Sequence, residues 1–416
     1  MTDGTTRPAA APSRVRRGLS RLVALPPEDF AERHWGRAPL LTPAGELAAP
    51  VGEIFSAAAV DELLSSRALR TPFLRLARDG RTLPESSYTL GGGVGATVGD
   101  QVSEDLVLRH FTDGATIVLQ ALHRTWPAVT DLAQDLAADL GHPVQVNSYT
   151  TPPQNQGFAD HYDVHDVFVL QVEGEKRWRV RPPVHELPLR TEPWEQRRAE
   201  VAEAARRPAL LETVLRPGDC LYLPRGFLHS ATALGSVSTH LTFGVHAWTR
   251  HTVLDAVLQE VRGALAGDVR VRASLPVGAD PLGAPALQGE VDLVRGLVGA
   301  ALDRVGAADV GRRLAPRGRA AQRAEPLGPL AQAAAAATAR DGAGMPGWRL
   351  RRHLATTWTE TDAGPVLVTR VGRVPVSEDE RAQVHAVIRG SEVALREVAP
   401  DLLHRLVLAG IVVPAS

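Results

Sequence analysis

The chain has 416 residues, of which 44% are hydrophobic and 22% charged, a composition typical of a globular protein with two or three domains. The net charge of -1 excludes a strongly basic protein that would bind nucleic acid through charge alone, and no stretch has the length and apolar content of a signal peptide or a membrane span. The single cysteine, Cys220, excludes an intrachain disulfide and favours a reducing cytoplasm.

The first 150 residues predict a tail followed by short helices and strands. Residues 1–18 are rich in Thr, Ala and Pro and predict a disordered tail. Apolar residues at helical spacing predict helices at 27–35, 60–69 and 126–140, the last ending at Gly141. Apolar or alternating runs predict strands at 115–122 and 144–150.

The stretch from Gly157 to Val180 predicts a β-hairpin. An apolar run at 167–172 is followed by Glu-Gly-Glu and by a second short run at 176–180, which is the pattern of two strands joined by a turn. Successive side chains of a strand point to opposite faces, so His161 and Asp163, two residues apart, are expected on the same side. That geometry suits two ligands of one metal ion.

Lys176, on the second of these runs, is the one lysine in a chain that carries 46 lysines and arginines in total. Lysine is a compact charge on a thin stem, whereas arginine is a planar fork. In a narrow pocket that needs a cation at its end, lysine would not be exchanged for arginine. Lys176 and Trp178 are expected to share one face of the strand, with the arginines between and beside them on the other.

Several further strands follow a polar segment at 184–207. Strands are predicted at 211–215, 220–223 and 237–245, separated by turns that contain Gly and Pro. Along the last of them Ser238, His240 and Thr242 alternate with apolar residues. Many short strands around one polar interior predict a small β-barrel or jelly roll.

The chain from residue 248 onward changes character. Helices are predicted at 251–266 and 287–305, and the Arg-, Pro- and Gly-rich residues 311–323 predict a linker. Beyond it the sequence predicts helices at 327–340, 378–388 and 402–410, with a strand pair around 366–376, which together indicate a winged-helix domain. Residues 324–416 hold ten Arg against ten Asp plus Glu, which argues against direct binding of nucleic acid.

His161 and Asp163 together with a third histidine would place two imidazoles and a carboxylate on one face of a metal ion, the arrangement of non-haem Fe(II) oxygenases. His229 is the preferred third ligand because it follows a turn at the end of a strand. His240 is the second choice, and His165, on the face of His161, is the third.

The same residues predict a cosubstrate pocket. 2-Oxoglutarate would chelate the iron with its keto-acid end, and its distal carboxylate would need a cation inside the barrel, which Lys176 supplies. Ser238 and Thr242, on the polar face of their strand, could add hydroxyl donors.

These residues resemble a known family. The run from His161 to Trp178, the Asn147-Ser-Tyr-Thr-Thr-Pro segment before it and the segment from Pro217 to His229 after it are similar to the ribosomal oxygenases of the JmjC class, most densely over residues 115–246. The resemblance implies iron at His161, Asp163 and His229, 2-oxoglutarate at Lys176, and Asn147 and Tyr149 in the same pocket. Members of this family hydroxylate arginine or histidine side chains of ribosomal proteins.

Taken together, we expect a mixed α and β protein: a JmjC double-stranded β-helix (jelly-roll) barrel, a helical dimerisation segment and a C-terminal winged-helix domain. The expected boundaries are a disordered tail at 1–18, a barrel with N-terminal helices at 19–247, dimerisation helices at 248–310, a linker at 311–323 and a winged helix at 324–416.

The expected activity is that of a cytoplasmic, homodimeric protein hydroxylase that uses Fe(II), 2-oxoglutarate and O2 on an arginine or histidine side chain of a ribosomal protein, without a membrane or nucleic-acid partner. Two alternatives remain open. One is an oxygenase that tailors a natural-product peptide, and the other is a non-catalytic cupin-type barrel that binds a peptide or metabolite.

Overall fold

A computed structural model of the chain describes residues 17–47, 49–78, 80–156, 159–279, 284–341, 347–390, 395 and 398–415. The predicted tail therefore lies, except for its last two residues, outside the described residues. The chain divides into two compact units, Met1–Ala247 and Trp248–Ser416. Within the described ranges no helix is long and apolar enough to cross a membrane.

The first unit is built on a large antiparallel sheet flanked by short helices. Its helices are α1 Pro27–Arg33, α2 Ala57–Ser66, α3 Glu104–Thr112, α4 Leu122–Thr125, α5 Pro127–Leu140 and α6 Arg198–Ala204. Its strands are β1 Leu40–Thr42, β2 Leu74–Arg78, β3 Arg81–Thr82, β4 Thr89–Leu90, β5 Gln101–Val102, β6 Thr116–Leu119, β7 Val144–Thr151, β8 Asp166–Arg181, β9 Leu211–Leu215, β10 Cys220–Leu223 and β11 Leu228–Val245. The sheet runs in the order β1-β10-β8-β11-β7-β6-β2-β3, with β9 paired to β8 and with β4 and β5 forming a separate pair.

The hairpin predicted at 157–180 is wrong, because residues 166–181 form the single strand β8. The first part of β8 pairs with β10 and with the end of β11, and its second part pairs with β9 and with the start of β11. Gly174, where a turn was predicted, has φ +65° and lies so close to the Val237 carbonyl that a Cβ there would be 2.1 Å from its oxygen. Because neighbouring strands supply hydrogen bonds on both sides of Gly174, the chain passes through it without reversing. Strand β11 is likewise continuous, with register shifts between Leu234 and His240.

The alternation of faces was predicted correctly for residues 176–179 of β8 and for residues 240–245 of β11, whereas a register shift interrupts it at Thr239. Lys176 and Trp178 are buried on β8 while Arg177 and Arg179 are not. On β11, Leu241, Phe243 and Val245 belong to the main hydrophobic core, together with Val129, Leu132 and Leu136 of helix α5. This core covers one face of the sheet, so the side chains of the opposite face are left to form the interior of the fold.

The second unit contains helices and two small sheets. Its helices are α7 Arg250–Ala266, α8 Val269–Arg272, α9 Ala284–Leu302, α10 Ala307–Ala320, α11 Pro329–Asp341, α12 Glu378–Ile388 and α13 Pro400–Leu408. Its strands are β12 Trp348–Leu350, β13 Thr357–Thr361, β14 Gly364–Val368, β15 Arg373–Pro375 and β16 Val412–Pro414, in a three-stranded sheet β13-β14-β15 and a pair β12-β16. The predicted strand pair is thus part of three strands, and the winged-helix assignment stays a prediction.

The linker predicted at 311–323 lies largely within helix α10, which even contains Pro316. Two contacts with neighbouring residues support this helix. Arg313 forms an ion pair with Glu260 of α7, and the Arg317 guanidinium lies over the Trp248 ring at 5.6 Å. Each such contact contributes about 1 kcal/mol or less, so these contacts add to the favourable helix propensity of the Arg, Ala and Leu residues in this segment.

Candidate metal and cosubstrate site

His161 and His229 meet in a β-bridge, although they are far apart in the sequence. The His229 N–H donates to the His161 carbonyl at 2.8 Å and the His161 N–H donates to the His229 carbonyl at 3.2 Å. The bridge holds the two imidazole rings 4.4 Å apart, centre to centre. With Asp163 they form a group whose possible ligand atoms all lie within 4.8 Å of one another, the one group of this kind found among the described residues.

Backbone carbonyls orient both rings for metal binding. The Nδ1 of His161 lies 2.7 Å from the Ala159 carbonyl, and the Nδ1 of His229 lies 3.1 Å from the Phe227 carbonyl. A carbonyl only accepts, so each Nδ1 carries the proton and each Nε2 keeps its lone pair. The Nε2 of His229 is 3.7 Å from Oδ2 of Asp163. A metal ion between them would therefore bind two unprotonated imidazole nitrogens and a carboxylate.

The protonation states in this group are those that a metal requires. Burial, together with the nearby His161, lowers the pKa of His229 to about 4, so that His229 is neutral at physiological pH. Burial raises the pKa of Asp163, but the surrounding His165, His229 and His161 lower it by more, and the net pKa lies below its usual value. Neutral imidazoles and an ionised carboxylate can coordinate without first losing protons.

The two alternative third ligands lie elsewhere. His240 stacks on the Tyr149 ring, with centres 5.0 Å apart, and its Nδ1 is 3.4 Å from Nζ of Lys176. His165 is beside Asp163, with its Nδ1 4.0 Å from Oδ1, and does not join the group of ligands. The structure thus brings together His161, Asp163 and His229, the set preferred from the sequence.

Lys176 is buried, and its polar contacts among the described residues are with neutral groups. Lys176 is 3% exposed, and its Nζ donates to Oγ1 of Thr151 at 3.0 Å. Oγ1 of Thr151 is in turn 3.1 Å from Oγ1 of Thr116. In the described part of the chain no carboxylate lies within ion-pair distance of Nζ, and burial lowers the pKa of Lys176 to about 7. A buried ammonium in such surroundings is costly unless an anion joins it.

A cavity of about 410 Å³ connects the histidine and aspartate group with Lys176. Among the candidate residues from the sequence, Tyr149 and Thr242 line it, whereas Asn147 and Ser238 do not. The Asn147 amide oxygen accepts from the backbone N–H of Ala121, and the Ser238 hydroxyl accepts from the side-chain amide of Gln171. Trp178, expected on the face of Lys176, also lines the cavity, as do residues that the sequence did not single out: Arg75, Thr116, Thr151 and Trp194.

Tyr149 and Arg75 add two polar groups to the wall of this cavity. The Tyr149 hydroxyl is hydrogen bonded to Arg75, and burial raises the pKa of Tyr149, so that the phenol keeps its proton. Arg75 comes from β2, well before the motif residues, and no local pattern marks it. Thr151 could have been found, because it follows Tyr149 by two residues on β7 and therefore shares its face.

The donor set fits a divalent metal. Two imidazoles and one carboxylate that leave the cavity side open form the ligand set of non-haem Fe(II) sites. The opposite end of the same cavity carries a cation without a counter-ion among the described residues, which fits an elongated anion that reaches from the metal to Lys176. The fold, the ligand set and the cavity together define a cupin-like metal site.

Comparison with known proteins gives the same class. Residues 121–253 match the family model of the JmjC domain. The chain is 34% identical over 262 residues to ribosomal oxygenase 1 of Gallus gallus, covering 60% of this chain and 40% of that protein. It is also 37% identical over 137 residues to a bifunctional lysine-specific demethylase and histidyl-hydroxylase of Drosophila persimilis, covering 32% of this chain and 19% of that protein.

A solved structure extends the likeness in fold to most of the chain. The Escherichia coli ribosomal oxygenase YcfD, in complex with cobalt and 2-oxoglutarate, superposes with a TM-score of 0.54 at 16% identity, covering 95% of this chain and 99% of that one. The chain spans no more than about two fifths of the length of the curated relatives described above. It carries a JmjC domain. Within that class, it resembles the ribosomal oxygenases.

Proposed function

We propose that the protein is an Fe(II)- and 2-oxoglutarate-dependent protein hydroxylase. The observation that carries this proposal is Lys176, a buried cation with no carboxylate partner among the described residues, in the same cavity as the two histidines and Asp163. A dicarboxylate that is also a metal chelator satisfies both ends of the cavity at once. 2-Oxoglutarate has this structure, and its role here is supported by the solved structure of Escherichia coli YcfD in complex with cobalt and 2-oxoglutarate.

The residues of this chain have distinct tasks in the proposed reaction. His161, Asp163 and His229 would hold Fe(II) on one face and leave the other positions to the cosubstrate and O2. Lys176 and Thr151 would bind the distal carboxylate of 2-oxoglutarate, and the protonated Tyr149 and Thr242 offer hydroxyl donors nearby. When bound, iron and 2-oxoglutarate would activate O2, so that one oxygen atom would convert a C–H bond into a C–OH bond while the other would enter succinate as 2-oxoglutarate loses CO2.

The proposed substrate is an arginine or histidine side chain of a ribosomal protein. The names of the relatives support a ribosomal protein, and one of them is a histidyl-hydroxylase. At the mouth of the cavity Trp194 lies 6.4 Å from the His161 ring, centre to centre, and Glu195 is the next residue on the rim. The Arg198 guanidinium of this chain already lies over the Trp194 ring at 5.2 Å, so this part of the cavity does not favour arginine over histidine.

Two measurements test this function. Protein loaded with Fe(II) and 2-oxoglutarate without oxygen is expected to show a weak visible charge-transfer band, and admission of air is expected to release succinate. A protein that binds neither would be a non-catalytic barrel. Intact-mass comparison of ribosomal proteins from cells with and without the gene would then identify a substrate 16 Da lighter in the deletion strain; turnover without any such shift would favour a natural-product peptide.

The proposed assembly is a cytoplasmic homodimer that contacts neither membrane nor nucleic acid directly. Helices α7 and α9 pack together through Val261, Leu265 and Leu297, yet each helix exposes further apolar residues at other turns along its length. These exposed residues are Val253, Leu254, Leu258, Val291, Leu293 and Val294. An apolar face of this extent favours a second copy of the chain. The winged-helix assignment of 324–416 belongs to the same proposal, with protein contact as its role.

A further inference from the structure

His165 stands directly behind the carboxylate of Asp163. Its side chain is 16% exposed, and its Nδ1 is buried with no hydrogen-bond partner in the described part of the chain. This Nδ1 is 4.0 Å from Oδ1 of Asp163, whereas the other oxygen, Oδ2, faces Nε2 of His229 at 3.7 Å. The two oxygens of Asp163 therefore have separate neighbours: Oδ2 lies on the side of the metal ligands, and Oδ1 lies on the side of His165.

Gln145 determines which nitrogen of His165 carries the proton. The side-chain Nε2 of Gln145 lies 3.4 Å from Nε2 of His165. With the Gln145 amide in this orientation its nitrogen donates, so a neutral His165 ring accepts at Nε2 and carries its proton at Nδ1. The N–H of His165 consequently faces Oδ1 of Asp163, in the orientation that a hydrogen bond to the carboxylate requires.

The space for this ring exists because residue 244 is glycine. Gly244 lies on β11 opposite Gln145 of β7. A Cβ at this position would be 2.6 Å from Cδ2 and 2.7 Å from Nε2 of His165, distances that a packed side chain does not tolerate. Residues of both β7 and β11 therefore define the space that the His165 imidazole occupies.

We propose that His165 is a positioning residue for the metal site: its Nδ1–H holds Oδ1 of Asp163 so that Oδ2 stays directed at the metal. This inference rests on the proposed function. The distance of 4.0 Å is longer than a hydrogen bond. The hydrogen bond would form either by a small shift of the carboxylate on metal binding or through one bridging water molecule. Partners of this kind typically change metal affinity by about 10- to 100-fold when they are removed.

The test is a titration of the metal-free, full-length protein with Co(II), followed by the visible spectrum of the bound ion. His165→Leu fills the space without a donor, and His165→Asn offers an amide N–H in place of Nδ1–H. We expect His165→Leu to weaken Co(II) binding about tenfold or more, with a changed spectrum, and His165→Asn to recover most of the affinity. His246→Gln is the matched control, because its ring is 5.2 Å from that of His165 and it is not among the ligands.

The possible outcomes are distinct. Equal, wild-type affinity in both His165 variants overturns the inference, as does an equal loss in both, which would mean that the ring has only a packing role. If His165→Leu does not fold, Co(II) titration of Gln145→Leu provides the deciding test. It keeps His165 but removes the donor that fixes its tautomer, so unchanged affinity in that variant overturns the inference and a weakened affinity supports it. Wild-type protein that binds no Co(II) at all would instead reject the proposed function itself.

Discussion

The two compact units of this protein differ in what they leave without a partner. The first unit buries an ammonium group, Lys176, and gives it two neutral contacts but no described carboxylate. The second unit does the reverse and exposes apolar side chains, among them Leu254 and Leu258, on helices that pack together through residues at other turns. Each feature raises the free energy of the isolated chain, one through desolvation of charge and the other through hydration of apolar surface.

The difference indicates the kind of partner that each unit takes. A buried charge is satisfied by a small anion that fits the cavity, whereas an exposed apolar helix face is satisfied by a protein surface of similar character. The first unit is therefore expected to respond to changes in single polar atoms, and the second to changes over a surface. The predictions below test this distinction, beginning with the largest effect.

Removal of any metal ligand is expected to abolish succinate release. His161→Ala, Asp163→Ala and His229→Ala each take one of three ligands, and the ion then loses the face of donors that leaves its other positions open. His240→Ala is the control, since His240 contacts Tyr149 and Lys176 and should keep measurable Fe(II) affinity. Loss of iron from the His240 variant together with its retention in the His229 variant would show that the ligand set is wrong.

Lys176→Ala is expected to weaken 2-oxoglutarate binding about a hundredfold or more while largely keeping the metal. The buried distal carboxylate would lose its partner at a cost of about 3–5 kcal/mol, and each 1.4 kcal/mol corresponds to roughly a tenfold change in affinity. Lys176→Arg keeps the charge and changes the shape, so partial activity with a higher requirement for 2-oxoglutarate is expected. Isothermal titration of both variants would measure this. Unchanged dependence on 2-oxoglutarate in Lys176→Ala would contradict the assignment of the cosubstrate.

The affinity for 2-oxoglutarate is expected to depend on pH through Lys176. Its pKa of about 7 in the ligand-free protein means that the ammonium is increasingly deprotonated as the pH rises above 7. Binding of the carboxylate then requires uptake of one proton, so affinity is expected to fall by up to about tenfold per pH unit above 7 and to level off below it. The guanidinium of Lys176→Arg does not titrate in this range and supplies the control. Identical pH profiles in the two proteins would exclude Lys176 as the group responsible.

The same pKa also fixes the direction of a stability effect. Lysine in the unfolded chain titrates near 10.5, so between pH 7 and 10.5 the unfolded state holds a proton that the folded state has lost. The free energy of unfolding without ligand is therefore expected to increase as the pH rises through this window. Thermal unfolding of the wild type and of Lys176→Met, which removes the titrating group, would isolate this contribution from other groups.

Substitutions on the exposed face of α7 are expected to have the smallest effect on catalysis and a clear effect on assembly. Leu254→Glu and Leu258→Glu would place charges in the proposed contact between two copies of the chain, which disfavours association. Light scattering at low micromolar concentration is expected to give a dimer for the wild type and a monomer for the double variant. Leu210→Glu, at an exposed position of the first unit, is the control. A wild-type mass near 44.5 kDa would contradict the dimer.

The sequence alone determined those features that depend on local chemistry and on the period of a strand. The spacing of His161 and Asp163, the single lysine at 176 and the alternation along residues 237–245 were enough to predict one metal-binding face and one cationic position in the same interior. Helix 378–388 was also predicted with the bounds that the structure has, because its N-cap, acidic first turn and apolar spacing are all local.

The tertiary structure decided which distant groups meet. The residues before and after Gly174 both pair with neighbouring strands, so the predicted hairpin is one strand. The predicted linker at 311–323 is largely helical, and an ion pair and a ring contact support this helix. The backbone bridge to His161 brought His229 to the metal ligands, whereas β7 aligned His240 with Tyr149. Arg75 and the space beside Gly244 had no local signal at all. Periodicity fixes the face on which a side chain lies, but the register between strands fixes its neighbours, and register arises from pairing that no single segment contains.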